Sequence, residues 1–190
     1  IQALRGHFAF VEDRLIAHRD QNQQLWFNRF VQGDLVGNAW TEVGSVKIGD
    51  VLTRVTRNAQ GQLEVNGSKY YSTGSIFADW IDLYAYDDVN QRAVIAAVNR
   101  HDQGGSVLDD WDGFGQKTTG SGTLTLKNVP VEDSHLIAFE DRFKYQTAYY
   151  QQFHLATLTG IAQSAVESFS HEVRERKRIF VRELQKQNKV

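Results

Sequence analysis

The sequence predicts an α+β fold in which an antiparallel β-sandwich or barrel sits between helical segments, as a piece of a longer α–β–α chain. Three observations predict it. Apolar residues recur at helical spacing over 1–36, short alternating runs separated by turn residues fill 37–133, and a long apolar helical stripe begins near Tyr145. The expected domains are therefore the end of a first helical domain (1–36), a middle β domain (37–133) and the start of a helical bundle (134–190).

In the first segment Phe8, Val11, Leu15 and Ile16 supply the expected buried face of one helix. Leu25, Trp26, Phe30 and Val31 supply that of a second, across the polar connection "AHRDQNQQ". Gly33 and Gly37 break the pattern and end the segment. Then "VLTRVTR" at 51–57 alternates and "NAQGQ" supplies a turn. "LEV" runs into Asn66-Gly67, a dipeptide that favours a tight hairpin, and on to "SKYYSTGS". "DWIDLYAY" and "RAVIAAV" flank "DDVNQ" as a further hairpin, and "GTLTLKNVPV" is the last strand and its exit. Leu155, Leu158, Ala162, Ala165, Val166, Phe169 and Val173 form the stripe of the long helix, before "EVRERKRIF" turns to charge.

Composition narrows the function classes. A 190-residue chain with 41% hydrophobic and 23% charged residues buries an ordinary globular core. A net charge of −2 gives no electrostatic case for nucleic acid or an anionic membrane surface as a partner. There is no cysteine, so neither disulfides nor thiolate catalysis enter. No apolar run reaches membrane-spanning length and no leader pattern opens the chain, so a cytoplasmic protein is expected. The chain begins with Ile1 and contains no methionine, and it is expected to be a fragment.

The stretch "WDGFGQKTTGSGTLTLKNVPVED", residues 111–133, raises the sharpest local question. Its glycines permit backbone conformations closed to other residues, and Thr118, Thr119, Ser121 and Thr123 offer hydroxyls. Two readings stand: a loop that receives a phosphate or other polar ligand, or a twisted strand whose hydroxyls satisfy its own backbone.

The order "GNAWTEVG", "VNGSKYYSTGS", "WDGFGQKTTGSGTLTLKNVPV" and "GIAQSAVESFSHEVRERKRIF" resembles the acyl-CoA dehydrogenase superfamily, and within it the branch of flavin-dependent monooxygenases. The resemblance covers nearly the whole chain. It implies an acyl-CoA dehydrogenase-like fold and a flavin held against the middle domain. It places Trp40, Thr41, Tyr71, Ser72 and Thr73 against the isoalloxazine ring, with Thr41 and Thr73 at a separation the family keeps. It also gives Arg176, at the end of the long helix, the flavin phosphate region of a neighbouring subunit, for which a guanidinium fork is suited. "VGSVKIGD" departs from the Pro and Gly-Ser pair with which dehydrogenases continue Thr-Glu, and Lys117 stands where many relatives carry arginine. Reduced FMN is therefore the expected cofactor, with FAD the alternative.

The resemblance further implies a two-component monooxygenase. A flavin reductase would supply reduced flavin, the substrate would be a small, largely apolar sulfur or nitrogen compound, and the chain would sit in a homotetramer. Asn38 and Ser72 are the expected hydrogen-bonding groups toward the flavin during oxygen chemistry, within a dry wall made by Trp40, Tyr70 and Tyr71. His7 is a candidate proton donor from the first helix or, on the plainer reading, a packed histidine. Trp111-Asp112 either shapes the substrate mouth or packs on the sheet and closes a turn. The remaining histidines lack metal-ligand spacing, so no metal is expected. Two other functions stay open: an FAD-dependent acyl-CoA dehydrogenase, and a non-catalytic, truncated assembly module.

Overall fold

Runs between residues 36 and 138 assemble into one nine-stranded sheet in the computed structural model, which describes residues 1–17, 23–44, 46–47 and 50–176. The strands are β1 (Val36–Ala39), β2 (Thr41–Glu42), β3 (Arg54–Arg57), β4 (Leu63–Tyr70), β5 (Trp80–Asp87), β6 (Arg92–Asn99), β7 (Gly105–Val107), β8 (Leu124–Pro130) and β9 (Leu136–Ala138). They lie in the order β7-β8-β4-β3-β5-β6-β9, with β1 beside β5 and β2 beside β4. Most ladders are antiparallel. The exceptions are β1–β5 and β3–β5, which are parallel and which a reading by hairpins does not anticipate. One side of β5 is shared between β1 at Trp80–Leu83 and β3 at Tyr86–Asp87, and this puts Asn38 in register with Asp82.

The "NAQGQ" and "DDVNQ" turns form as the sequence indicates. The Asn58 carboxamide accepts from the N–H groups of Gln60 and Gln62, each at 3.0 Å, and Asp87 Oδ1 accepts from Val89 and Asn90. Asn66-Gly67 is different: it lies inside β4, at a register shift against β8. Tertiary packing overrides the turn preference there. A Cβ on Gly67 would sit 2.5 Å from Thr53 Oγ1, and Asn66 Oδ1 accepts from the Asn128 N–H. The dipeptide serves as a bulge with a close approach.

β5 and β6 are buried on both faces. Ile81, Leu83, Ala85, Val94, Ala96 and Val98 point into one cluster with Val55, Val65, Leu124 and Val129. Trp80 and Ala97, of opposite parity, point into another with Phe10, Trp26 and Val36. Helices α1 (Arg5–Ile16) and α2 (Gln23–Gln32) supply that second cluster.

Both helices form, but the expected face of α1 is largely turned outward, and that of α2 is buried at Trp26 and partly buried at Phe30. Phe8, Leu15 and Ile16 are about half exposed, whereas Gly6, Ala9, Phe10, Asp13 and Arg14 are buried. In α2, Trp26 is buried while Leu25 and Val31 are exposed. The cause on α1 is that its inward face must admit Asn38 at Gly6 and an ion pair at Asp13, so small and polar residues take the buried positions. Gly33, at φ +99°, ends α2, and its N–H bonds the Phe30 carbonyl. Of "AHRDQNQQ", residues 18–22 lie outside the described residues.

Helix α3 spans Gln146–Glu175. The chain divides into two compact units, Ile1–Tyr150 and Gln151–Val190, so α3 begins in the first. In the second, the expected stripe is present and exposed at Leu155, Leu158, Val166, Phe169 and Val173. Among the described residues, no helix is long and apolar enough to cross a membrane.

Candidate functional site

Arg5, Asn38, Trp40, Thr41, Tyr71, Thr73 and Tyr150 line one cavity of about 330 Å³ in the first unit. Five of these were singled out from the sequence, and two strand pairings bring them together. Asn38 lies on β1, and Trp40 and Thr41 follow as the chain passes into β2, where Thr41 pairs with Tyr70. Tyr71 and Thr73 leave the end of β4, and the Asn38 N–H bonds the Thr73 carbonyl at 3.1 Å. Asn38 Oδ1 is buried and accepts no hydrogen bond from the described residues. Gly6 is what lets that side chain in, since a Cβ there would lie 2.8 Å from Asn38 Oδ1.

The backbone leaving β4 is turned sharply. Tyr71 takes φ +56°, an uncommon conformation for a bulky residue, and Gly74 takes φ +79°. The surroundings hold it there. The Tyr71 ring packs on Tyr70 at 4.7 Å and on Trp111 at 5.4 Å. Trp111 in turn donates its indole N–H to the Gly115 carbonyl at 2.7 Å, closing the "WDGFG" turn.

Ser72 is fully buried, and both its N–H (3.1 Å) and its hydroxyl (2.8 Å) donate to the Gly122 carbonyl. Thr73 Oγ1 meets Ser121 Oγ at 3.0 Å, Ser121 meets Thr119 Oγ1 at 2.9 Å, and Thr119 donates to the Gln116 carbonyl at 2.7 Å. The contacts of the "TTGSGT" stretch follow the second reading. Its hydroxyls satisfy neighbouring backbone, and the chain they form ends at Thr73 on the cavity wall. Ser72 supports that wall indirectly, through Gly122.

Behind Trp40 lies a buried ionic cluster. The indole N–H donates to Asp82 Oδ1 at 3.0 Å, and Arg142 stacks over the ring with its guanidinium carbon 4.7 Å from the centroid. Arg142 pairs with Asp82 at 3.1 Å and with Asp13 at 2.8 Å, all three side chains being nearly inaccessible. Burial pushes the Asp13 carboxyl up to about 6, against the pull of Arg142 and of the Phe143 N–H that bonds it. Burial also pushes the Tyr150 phenol up to about 12, keeping it neutral.

Glu42, beside Thr41, is structural. It pairs with the inaccessible Lys69 at 2.5 Å and accepts from the Leu52 N–H, the Thr53 N–H and the Thr53 hydroxyl. The Lys69 ammonium is held below its ordinary pKa by burial.

Two lining residues, Arg5 and Tyr150, were missed from the sequence. The Arg5 guanidinium lies 4.7 Å over the Tyr150 ring, a contact between residues 145 positions apart that no local pattern announces. His7 does not line the cavity. Its Nδ1 accepts from the Val36 N–H at 3.2 Å, its ring packs edge-on against Phe30, and burial lowers its pKa. Arg176 follows the last residue of α3, in the second unit.

A larger cavity of about 610 Å³ lies elsewhere, lined by Arg29, Arg57, Trp80, Glu132, Asp133 and His135 among others, and it contains none of the candidate residues. Arg57 and Asp133 pair there at 3.9 Å, and His135, whose pKa burial lowers, lies 3.9 Å from Glu132. The smaller cavity is the candidate site, because two of its residues, Asn38 and Arg5, keep buried polar atoms without a hydrogen-bond partner among the described residues.

No family model matches the sequence. Among curated relatives, dibenzothiophene monooxygenase of Rhodococcus erythropolis is 28% identical over 133 residues, covering 68% of this chain and 32% of that protein. "Probable FMNH2-dependent monooxygenase SfnC" of Pseudomonas putida is 29% identical over 168 residues, covering 85% and 40%. Among solved structures, FMN-bound TdsC from Paenibacillus sp. A11-2 superposes with a TM-score of 0.77 at 26% identity, over 92% of this chain and 47% of that one. The chain thus spans less than half the length of each of these relatives, and it has their α+β fold.

Proposed function

We propose, for a chain homologous to the flavin-dependent monooxygenases of the acyl-CoA dehydrogenase-like fold, that it forms part of the active site of such a monooxygenase. The protein would work with reduced FMN supplied by a separate reductase and act on a small, largely apolar sulfur or nitrogen compound. The single observation that carries this reading is the convergence of Asn38, Trp40, Thr41, Tyr71 and Thr73 on one cavity.

The residues present fit a flavin ring. The cavity, at about 330 Å³, lies at the small end of the roughly 300–1,000 Å³ typical of small-molecule sites, enough for a ring system. Trp40 and Tyr71 offer flat apolar walls, and Thr41 and Thr73 offer hydroxyls. Asn38 supplies a buried carboxamide oxygen with no partner of its own, which suits a ring N–H. When bound, reduced FMN would supply two electrons, so that one atom of O2 enters the substrate and the other leaves as water.

The chain's own residues would bind, orient and keep water out. Asn38 would hold the ring edge. Thr73, fixed by Ser121, would keep its hydroxyl on the wall. Trp40, fixed by Asp82 and Arg142, would exclude solvent. Ser72 would act as a positioning residue through Gly122, and Arg176 would meet the flavin phosphate region of a neighbouring subunit in a homotetramer.

The test is to titrate the full-length protein with FMN and FAD, oxidised and reduced, and then admit oxygen in the presence of candidate substrates. Preferential binding of reduced FMN, with oxygen uptake coupled to product, is the expected result. Tight FAD binding with slow reaction toward oxygen would overturn it in favour of acyl-CoA dehydrogenation.

A further inference from the structure

We propose that Arg5 is a specificity-determining residue of the cavity and takes the oxyanion of a small anionic substrate, of the sulfinate or carboxylate kind. The proposal rests on the monooxygenase reading above and adds an anionic head to the largely apolar substrate named there. Arg5 sits in the first turn of α1, with its guanidinium stacked on Tyr150. A cation–π contact of this kind uses no N–H group as a donor, so the guanidinium fork stays available to an anion with two oxygens, which it can meet with two hydrogen bonds. Arg5 Nε is buried without a hydrogen-bond partner, and among the described residues Arg5 makes no ion pair.

The charge balance points the same way. The other lining residues are Asn38, Trp40, Thr41, Tyr71, Thr73 and Tyr150, none of them a carboxylate. The buried carboxylates behind the wall, Asp13 and Asp82, are both engaged by Arg142. Tyr150, with its phenol pushed up to about 12, supplies no phenolate. Arg5 is therefore the one cationic side chain among the lining residues, in a partly desolvated setting where an anion gains most and a neutral heterocycle gains nothing from it.

The reduced flavin is also anionic, at its ring or its phosphate, so the test must separate the two sources. Methanesulfinate and the neutral dimethyl sulfoxide are titrated calorimetrically into the full-length, flavin-free protein, and reduced FMN is titrated separately. Wild type is expected to prefer methanesulfinate. Arg5→Gln should weaken methanesulfinate roughly 10- to 100-fold, the range of a lost charge-assisted contact. Its effect on dimethyl sulfoxide and on reduced FMN should be far smaller. Arg5→Lys, which keeps the charge but not the fork, should fall between, and it also serves if the glutamine variant does not fold.

Equal binding of the two probes by wild type overturns the proposal. So does a loss of FMN affinity in Arg5→Gln as large as the loss of methanesulfinate, which would give the guanidinium to the flavin. Arg5-dependent sulfinate binding in a protein that takes no reduced FMN would sink the monooxygenase reading and leave the anion site standing.

Discussion

The indole N–H of Trp40 donates to Asp82 Oδ1 across 3.0 Å, which ties a wall of the cavity to a carboxylate in the middle of β5. Parallel pairing of β1 with β5 makes the contact possible, and Arg142 anchors its far side at 3.1 Å. Trp40 is thus held by a residue 42 positions away and by a cation 102 positions away, each buried.

That relationship orders two substitutions. Arg142→Leu strands two buried carboxylates and is expected to cost about 3–5 kcal/mol in urea denaturation. Asp82→Asn keeps an acceptor for Trp40 and leaves Arg142 paired with Asp13, so its cost should be clearly smaller. An Asp82→Asn variant as unstable as Arg142→Leu would show that the ion pair, not the indole bond, is what Asp82 supplies.

The cluster also gives stability a pH dependence of definite sign. Burial pushes the Asp13 carboxyl from its ordinary 3.8 up to about 6 in the fold, so between those values the folded chain holds the extra proton. Its contribution is fully present below 3.8 and is lost as the pH rises through about 6, amounting to roughly 2–3 kcal/mol. Burial lowers the pKa values of His7 and His135, which act in the opposite direction just below pH 6.5. Comparing denaturation midpoints of wild type and Asp13→Asn at several pH values from 4 to 7.5 isolates the carboxyl, and the variant should lack the falling limb.

Glu42 and Lys69 should respond unequally. Removing the carboxylate with Glu42→Ala leaves an inaccessible ammonium with only the Trp40 carbonyl at 3.3 Å and the Tyr84 ring at 6.0 Å beside it among the described residues, and about 3–5 kcal/mol should be lost. Lys69→Met leaves Glu42 with three donors from Leu52 and Thr53 and should cost less. Thermal midpoints of the two variants in the same buffer decide it.

The wall at Thr73 and the backbone behind Ser72 can each be perturbed by one substitution. Thr73→Val removes the hydroxyl that faces both the cavity and Ser121, and it should weaken reduced-FMN binding about tenfold, while Thr73→Ser retains most of it. Gly122→Ala would place a Cβ 2.1 Å from the Leu108 carbonyl oxygen and should destabilise the body by roughly 1–3 kcal/mol as the strand is pushed away. Fluorescence titration and thermal unfolding read the two effects separately.

What the sequence by itself determined was local and periodic. Alternation in "VLTRVTR" marked β3, the turn at 58 marked its hairpin with β4, the "DDVNQ" turn between "DWIDLYAY" and "RAVIAAV" marked the β5–β6 hairpin, and the long stripe marked α3. The family resemblance of "GNAWTEVG" and "VNGSKYYSTGS" named five of the residues that line the candidate cavity. The tertiary structure decided the rest. It moved Asn66-Gly67 from a turn to a bulge, because Thr53 presses on Gly67. It turned Phe8, Leu15 and Ile16 outward, because the inner face of α1 had to admit Asn38 and the Asp13–Arg142 pair. It also brought Arg5 and Tyr150 to the cavity and enclosed Asp82 and Lys69. The physical reason is range: backbone preference and hydrophobic period act over a few residues, whereas burial of charge and close backbone approach depend on partners that only the folded chain brings together.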